Sequence, residues 1–435
     1  MISLDLKNIF SVGTTHGLAK KDLATSQKEL VHLINAMHTR GQKFYSIVDD
    51  TAVLKQVQEF ATRMRGKYQH IVVIGIGGSA LGTICIHQAL THLYDNERTT
   101  RLHPTLHVLD NVDPTLYGEI EDVIDIKKTL FIVVSKSGNT AEALGPLLYF
   151  QQKVKQAKKN VQNHFITITH IGNGTLSELA EKEGIEQIEH GPVGGRFAVL
   201  STVGLIPAAL VGIDIKKLLA GAQDMRDIFL TPDAKTNLPY QIAKTQYALN
   251  RKGKSIAVMM PYAQKLLSFA DWYRQLLAES IGKEVNDAGE TVHTGITPVR
   301  ALGTTDQHSQ AQLYNEGPND KLLMFMHVKK LHKTLRFPTL YTHHPKLGYL
   351  QGASMNDLMD AEREGTTAAL TKRKRPNLTI TIDTLDAYHL GALFLLFEGA
   401  TALLGEMYGI NAFNQPGVEL AKKLTVTNLA KKRNK

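Results

Sequence analysis

The glycine-rich segment GIGGSALG, Gly75–Gly82, lies between a predicted strand and a predicted helix. Its glycines let backbone N–H groups approach an anion, the helix N-terminus adds partial positive charge, and Ser79 adds a hydroxyl donor. The segment also fits the pattern G-x-G-x-x-A of dinucleotide-binding loops, with Asp110 ending the next strand, where an acidic side chain would meet a ribose. Alone, it leaves open a phosphate site, a dinucleotide site and a strand–helix turn without a ligand.

A second segment, SKSGNT at Ser135–Thr140, has the same strand–loop–helix setting and is more specific. It offers three hydroxyl side chains beside Gly138: those of Ser135, Ser137 and Thr140. Many short donors suit the several oxygens of a phosphate monoester, whereas a pyrophosphate bridge usually needs glycine clearance. The alternative is an ordinary helix N-cap. Because two such loops occur in one predicted sheet, we favour a phosphate site.

Two further segments carry residues suited to proton transfer. The predicted helix Phe269–Ile281 places Gln275 and Glu279 on one face, four residues apart, and a helical glutamate can serve as a general base. In Gly191–Ser201, Arg196 follows two glycines and could stabilise an oxyanion with its permanent charge. Taken in isolation, a helical glutamate is more often a solvated surface charge, and an arginine after two glycines is more often a surface residue in a turn.

His308 and Lys422 complete the candidates. A histidine titrates near physiological pH and can shuttle a proton, and a lysine just after a helix start could donate to a sugar ring oxygen. Each is more often an ordinary exposed side chain. The 18 histidines are scattered and no H-E-x-x-H motif occurs, so we expect no metal site.

The elements that must position these residues follow from the apolar pattern. The first seventy residues are predicted to be helical, with helices at Ser26–Gly41, opened by a Ser26–Glu29 capping pattern, and at Thr51–Arg65. A helix is also predicted at Ser79–Tyr94. In the first half, Ile71–Gly78 is predicted to be a buried strand that breaks into a glycine loop, and further strands are predicted at Thr105–Asp110, Thr129–Ser135 and His164–His170.

The second half repeats this alternation of short apolar strands and helices, and it ends in helices. Predicted strands are Ser255–Tyr262, Gly295–Leu302, Lys321–Val328 and Leu378–Asp383, and the closing helices are Ala387–Tyr408 and Val418–Ala430. Continuous apolar strands separated by helices are typical of parallel sheets covered on both faces. The sequence therefore predicts an α/β protein with two domains of similar design, which meet near residues 210–235.

Composition narrows the class of protein. The 435 residues are 43% apolar and 21% charged, which is typical of a globular protein. Cys85 is the only cysteine, so no intramolecular disulfide forms, and this fits a reducing cytoplasm. We expect no membrane span and no signal peptide. The net charge of +9 lies in clusters without interleaved aromatic residues, so we expect no nucleic-acid partner; a positive field would favour an anionic substrate.

Taken together, the motifs resemble the glucose-6-phosphate isomerase family. The segments that match, in order, are GIGGSALG, SKSGNTAE, GGRFAVLS, AESIGKE, TDQHSQAQL and FNQPGVELAK. The match runs from about residue 50 to the C-terminus. The resemblance implies two sugar-isomerase (SIS) domains, each a doubly wound, mainly parallel sheet flanked by helices, with additional N- and C-terminal helices. The implied division is 1–50 (helical), 51–220 (first SIS domain, phosphate loops), 221–400 (second SIS domain, catalytic base) and 401–435 (helical, with Lys422).

The resemblance also implies a reaction and roles. Family members interconvert glucose 6-phosphate and fructose 6-phosphate through ring opening and a cis-enediolate, without a cofactor or metal. Glu279 matches the base that moves a proton between C1 and C2, Arg196 matches the arginine that stabilises the enediolate, and His308 and Lys422 match groups that assist ring opening. The implied substrate-binding residues are Gly78, Ser79, Ser135, Lys136, Ser137, Thr140, Gln275 and Gln415.

The resemblance further implies a cytoplasmic homodimer in which His308 reaches the active site across the subunit interface. Three residues depart from the family pattern, Asn139, Ala198 and Asn414, and none of them is a proposed proton-handling group. Two alternatives stay open: an NAD(P)-dependent oxidoreductase, on the evidence of Gly75–Ala80 and Asp110, and a non-catalytic sugar-phosphate-sensing SIS protein.

Overall fold

The computed structural model describes residues 2–24 and 26–433. Strands within these ranges are β1 (Ile2–Asp5), β2 (His70–Ile74), β3 (Thr105–Leu109), β4 (Thr129–Val134), β5 (Phe165–Thr169), β6 (Glu186–Glu189), β7 (Ile256–Pro261), β8 (Lys283–Val285), β9 (Thr291–Thr294), β10 (Thr297–Arg300), β11 (Lys321–Lys330) and β12 (Asn377–Thr384). Helices are α1 (Lys7–Ser11), α2 (Lys20–Leu23), α3 (Gln27–Thr39), α4 (Thr51–Met64), α5 (Leu81–Leu90), α6 (Pro114–Val123), α7 (Ala141–Gln156), α8 (Thr175–Glu183), α9 (Thr202–Leu210), α10 (Ile215–Leu230), α11 (Leu238–Asn250), α12 (Leu267–Ile281), α13 (Ala311–Glu316), α14 (Met355–Lys372), α15 (Ala387–Tyr408) and α16 (Glu419–Arg433).

The first sheet has the order β3-β2-β4-β5-β6, and all its strands are parallel. Every residue of β4 is buried, which explains why its residues 130–134 are continuously apolar rather than alternating. From β2 the chain first adds β3 on one side and then β4 on the other. This reversal makes a crevice outside the carboxyl ends of β2 and β4, where doubly wound sheets bind their ligands.

The second sheet has the order β1-β12-β11-β7-β10. Strands β7, β10, β11 and β12 are parallel, and β1 joins the edge antiparallel to β12. The predicted fold class, two mainly parallel sheets flanked by helices, is confirmed. The prediction that the first seventy residues are all helical is wrong for Ile2–Asp5, because four residues carry too short a pattern to reveal a strand that exists only by pairing with β12.

Other predicted elements are confirmed with small differences at their ends. Helix α3 begins after Ser26, whose Oγ accepts a hydrogen bond from the Glu29 amide at 3.1 Å. Helix α5 is shorter than predicted, and strand β6 was not predicted because three of its four residues are polar. Helix α12, which carries Glu279, ends at Ile281 as predicted.

A layer of helices lies between the two sheets and forms the main core. Helix α15 is long and apolar enough to span a membrane, but 89% of its most apolar 18-residue window is buried. It packs against α10, α11 and α12, and the ring of Phe394 meets that of Trp272 edge-on, with centroids 4.8 Å apart. Helix α15 is therefore the central helix of a protein core, and it leads directly into the segment that binds Arg196.

Candidate active site

The loop after β2 is pressed against the segment that carries Arg196. Gly77 has a φ of +58°, which a glycine adopts without strain, and a Cβ at this position would lie 2.7 Å from the Gln275 side chain. A Cβ on Gly78 would lie 2.1 Å from the carbonyl carbon of Gly195. The two glycines thus allow a close approach that joins the predicted anion loop to the predicted catalytic residues.

This contact predicts a severe effect of Gly78→Ala. The added methyl group must push apart the 75–80 loop and the backbone beside Arg196, and a displacement near 1 Å in an active site costs about 10²-fold in rate. We expect at least that loss in kcat/KM with the sugar phosphate that the family resemblance implies as substrate. The matched control is Gly118→Ala in α6, where a Cβ meets nothing within 4 Å. Near-normal kcat/KM in Gly78→Ala would contradict this close packing.

The second loop, Ser135–Thr140, lies at the same edge of the sheet because β2 and β4 are neighbouring parallel strands. The hydroxyl groups of Ser135 and Thr140 are hydrogen-bonded at 2.9 Å, and Thr140 is the N-cap residue of α7 but does not use its side chain to cap the helix. The Ser137 hydroxyl accepts from the Asn139 amide at 3.3 Å. Three hydroxyl groups therefore cluster at the start of a 16-residue helix, where partial positive charge favours an anion.

Neighbouring residues hold this second loop in place. Asn139, a departure from the family pattern, accepts hydrogen bonds from the amide and hydroxyl of Thr175 at the start of α8, at 3.1 and 3.0 Å. A Cβ on Gly174 would lie 2.2 Å from the Ser137 carbonyl oxygen. The backbone of the loop before α8 therefore contacts the backbone of the loop after β4. Lys136 is half-buried, and burial lowers its pKa. The loop is thus held by contacts with the start of α8, and it carries the cationic side chain of Lys136.

Arg196 is the centre of the site. Its side chain is only 2% exposed and its guanidinium donates to five acceptors. These are Ser280 Oγ (2.7 Å), Glu279 Oε2 (3.1 Å), Gln415 Oε1 (3.0 Å) and the carbonyl oxygens of Ala412 (2.6 Å) and Asn414 (3.1 Å). Burial lowers the pKa of Arg196 and the Glu279 carboxylate opposes that shift, so the guanidinium stays charged at neutral pH.

Glu279 is held from both sides. Its Oε2 accepts from Arg196, and its Oε1 accepts from Gln275 Nε2 at 3.1 Å, one helical turn away. Its side chain is 35% exposed, in contrast to that of Arg196. A carboxylate with fixed orientation and an open side can exchange a proton with a bound molecule. Glu279, Arg196, Gln275, Gln415 and Gly78 are therefore brought together, although they come from four separate segments.

The remaining two predicted residues lie elsewhere in the single chain. His308 is exposed, in a loop anchored on either side: Asp306 accepts from the Leu302 amide at 2.7 Å, and Gln307 donates to the Glu362 carbonyl at 2.9 Å. Lys422 is exposed on α16 and pairs with Glu419 at 2.7 Å. Across residues 2–24 and 26–433, neither side chain is hydrogen-bonded to Glu279 or Arg196.

Some residues of the site were not predicted from the sequence. Ser280 and the carbonyl groups of Ala412 and Asn414 all accept from Arg196. Ser280 follows Glu279 directly, so the motif AESIGKE contained it. Asn414 departs from the family pattern in its side chain, but its contribution here is a backbone carbonyl, which every amino acid supplies. Within the described ranges, no group of three His, Cys, Asp or Glu side chains is arranged to hold a metal ion.

The arrangement combines three chemical capabilities. Two loops at the first sheet carry hydroxyl groups that could bind an anion, one fixed carboxylate can accept a proton, and one buried guanidinium can stabilise negative charge near that carboxylate. Such a set suits a phosphorylated substrate from which a proton is removed.

Comparisons with known proteins agree with this chemistry. Residues 24–435 match the family described as phosphoglucose isomerase. A glucose-6-phosphate isomerase of Carboxydothermus hydrogenoformans is 43% identical over 382 residues, which cover 87% of this chain and 82% of that protein. A glucose-6-phosphate isomerase of Rubrobacter xylanophilus is 35% identical over 436 residues, covering 99% of this chain and 98% of the relative.

Solved structures agree on the fold. The crystal structure of a hypothetical protein from Thermus thermophilus aligns with 99% of this chain and 100% of its own, at a TM-score of 0.88 and 32% identity. The crystal structure of a glucose-6-phosphate isomerase from Chlamydia trachomatis aligns with 93% of this chain and 84% of its own, at a TM-score of 0.80 and 24% identity.

Proposed function

Because the chain belongs to the phosphoglucose isomerase family, we propose that it interconverts glucose 6-phosphate and fructose 6-phosphate. The observation that carries this proposal is the Glu279 carboxylate, fixed between Arg196 and Gln275 while the Gln275 side chain touches the glycine loop that follows β2. Base, oxyanion-stabilising cation and anion loop are thus parts of one connected group. The reaction belongs to glycolysis and gluconeogenesis.

The base needs only one position for both halves of the reaction. Glu279 removes the proton from C2 of the open-chain aldose and returns it to C1, or the reverse. These carbons are adjacent, so one carboxylate can reach both on one face of a cis-enediol. A positioned base contributes roughly 10²–10⁴-fold to the rate. The hydrogen moves as a proton, so the reaction requires no redox cofactor.

Arg196 stabilises the charge that develops on the sugar oxygens. It is preorganised by four acceptors besides Glu279, so little reorganisation is needed when the enediolate forms. When Glu279 takes up the proton, it becomes neutral. The positive charge of Arg196 then interacts mainly with the enediolate. Gln275 and Gln415, which contact the Glu279–Arg196 pair, line the sugar side of the site.

The phosphate group holds the flexible open chain in register. We assign it to the backbone and hydroxyl donors of Gly78, Ser79, Ser135, Ser137 and Thr140, with Lys136 adding charge. Binding energy from this remote group is then used to position C1 and C2 at Glu279.

We further propose a homodimer in which His308 and Lys422 assist ring opening, His308 across the subunit interface. Two features support an additional contact surface. His308 is exposed on an anchored loop, and α16 has no buried residue although it exposes Leu420, Leu424, Val426 and Leu429. A helix of 15 residues gains most of its stability from packing, so α16 in isolation is unfavourable.

A mixed-subunit experiment tests the shared site. Glu279→Gln and His308→Ala homodimers should each be nearly inactive, with losses of about 10²–10⁴-fold. Co-expressed, they form heterodimers in which one of two sites has both wild-type residues, so we expect about one quarter of wild-type activity with random pairing. A mixture that stays inactive would mean that each site takes Glu279 and His308 from the same chain, which contradicts the proposed contribution of His308 across the interface.

The proposal as a whole is tested by a direct assay of fructose 6-phosphate formation without added metal or cofactor. An NAD(P)-dependent oxidoreductase would instead require a nicotinamide and give an absorbance change, and a sensing protein would bind sugar phosphate without turnover. We propose a cytoplasmic location for the enzyme, consistent with the single buried cysteine, Cys85.

A further inference from the structure

Lys283 lies just beyond the helix that carries the proposed base. It is the first residue of β8, two positions after the end of α12, and is only 8% exposed. Its Nζ donates to the carbonyl oxygens of Glu279 at 2.5 Å and Ser280 at 2.9 Å. The lysine thus binds the main chain of two of the residues whose side chains accept hydrogen bonds from Arg196.

The buried location of Lys283 disfavours its charged form. Burial, together with the positive charge of Arg196, lowers the pKa of Lys283 to about 8, and Glu279 opposes the shift. Within the described ranges, no carboxylate oxygen lies within ion-pair distance of Nζ. The compensation is at the helix end, where the last carbonyl groups lack intrahelical partners and favour a cation.

The hydrogen bonds form a connected chain from Lys283 to the reacting groups. Ser280 Oγ accepts from Arg196 Nε at 2.7 Å, and Glu279 Oε2 accepts from Arg196 Nη1 at 3.1 Å. A change in the last turn of α12 therefore moves the carboxylate and the anchor of the guanidinium together. Lys265, near the other end of α12, donates instead to the Thr91 carbonyl at 2.5 Å, and among the hydrogen bonds of residues 2–24 and 26–433 it has none to Glu279, Ser280 or Arg196.

We propose that Lys283 is a positioning residue for the isomerisation: by fixing the last turn of α12 it sets the direction of the Glu279 carboxylate relative to Arg196. This inference rests on the proposed function. It assigns Lys283 no contact with the substrate, so it makes a specific kinetic prediction: the catalytic step suffers and substrate affinity does not.

The test is Lys283→Met, with Lys265→Met as the matched control. Both replacements remove an ammonium group bound to a backbone carbonyl, but only the first acts on the turn that carries Glu279. We expect Lys283→Met to lower kcat by about 10- to 100-fold, as misplacement of a catalytic group does, and to change KM for fructose 6-phosphate by less than about threefold. Lys265→Met should keep the wild-type kcat.

The conservative variant separates positioning from a general loss of stability. Lys283→Arg keeps the charge and the N–H donors, so we expect it to recover at least about tenfold in kcat over Lys283→Met. Urea unfolding of each variant shows that the assayed protein is folded. If Lys283→Met does not fold, Lys283→Gln is compared with Lys283→Arg in the same way.

The outcomes decide between this inference and the proposed function. A wild-type protein without isomerase activity would overturn the proposed function itself. An active wild type with unchanged kcat in folded Lys283→Met or Lys283→Gln would overturn only the role of Lys283. So would failure of all three Lys283 variants to fold, which would make the lysine a requirement of the fold, or an equal loss in Lys265→Met.

Discussion

Glu279→Gln is expected to reduce turnover of glucose 6-phosphate by about 10²–10⁴-fold, the range spanned by a positioned general base. The amide keeps nearly the same shape, and its oxygen can still accept from Arg196, so the fold and sugar-phosphate binding should be largely retained. The measurement is kcat together with calorimetric titration of fructose 6-phosphate. The loss should appear in kcat and not in the dissociation constant.

The matched control for this prediction is Glu284→Gln. Glu284 is five residues further along, exposed, and outside the Arg196 group. Its replacement removes the same charge from the same region and should leave kcat unchanged. Near-normal turnover in Glu279→Gln would show that Glu279 is not the general base. An equal loss in Glu284→Gln would show that the loss of kcat comes from removing a negative charge in this region and not from removing the base.

Arg196→Lys is expected to lower kcat by about 10²–10³-fold, the typical cost of losing an oxyanion-stabilising donor. A lysine keeps the charge but has three donors on a compact head, and it cannot serve the five acceptors that Arg196 reaches. The carbonyl groups of Ala412 and Asn414 then lose their donor. We therefore also expect a loss of about 1–3 kcal/mol in the free energy of unfolding for each buried polar group left unpaired.

Arg274→Lys is the control for that substitution. Arg274 lies on the same helix as Glu279, but its side chain is 55% exposed and pairs with Asp271 on the same helix. An exposed pair of this kind is worth at most about 1 kcal/mol, so kcat and stability should stay close to wild type. If Arg196→Lys were as active as Arg274→Lys, charge alone would suffice and the fivefold donor geometry would have no catalytic role.

The strand–loop–helix form of the two proposed anion loops could be predicted from the sequence because its pattern is local. A buried strand, a run of glycine and hydroxyl residues and a helix start follow one another within about ten residues, and backbone physics then fixes where the N–H groups lie. The contact of Gly78 with Gly195 could not be predicted in this way. It joins segments more than a hundred residues apart and depends on how both of them pack against α12.

The chain termini show the same limit. Strand β1 forms by pairing with the edge of β12, and the pattern of its four residues is too short to reveal it. The segment that binds Arg196 contributes backbone carbonyls from Ala412 and Asn414, which any residue type supplies. Lys283 stood in a recognised motif, but only its contacts with the end of α12 give it a role. The positions of His308 and Lys422 relative to the base stay predictions.

The central claim is that Glu279 carries the hydrogen between C1 and C2 as a proton. Isomerisation in deuterium oxide tests it most directly, with deuterium at C1 and C2 of the recovered sugar phosphates measured by NMR. A proton held on a one-third-exposed carboxylate exchanges with solvent in some turnovers, so the wild type should incorporate deuterium and Glu279→Gln should incorporate almost none. Full turnover without any deuterium, or equal incorporation by both proteins, would contradict the account.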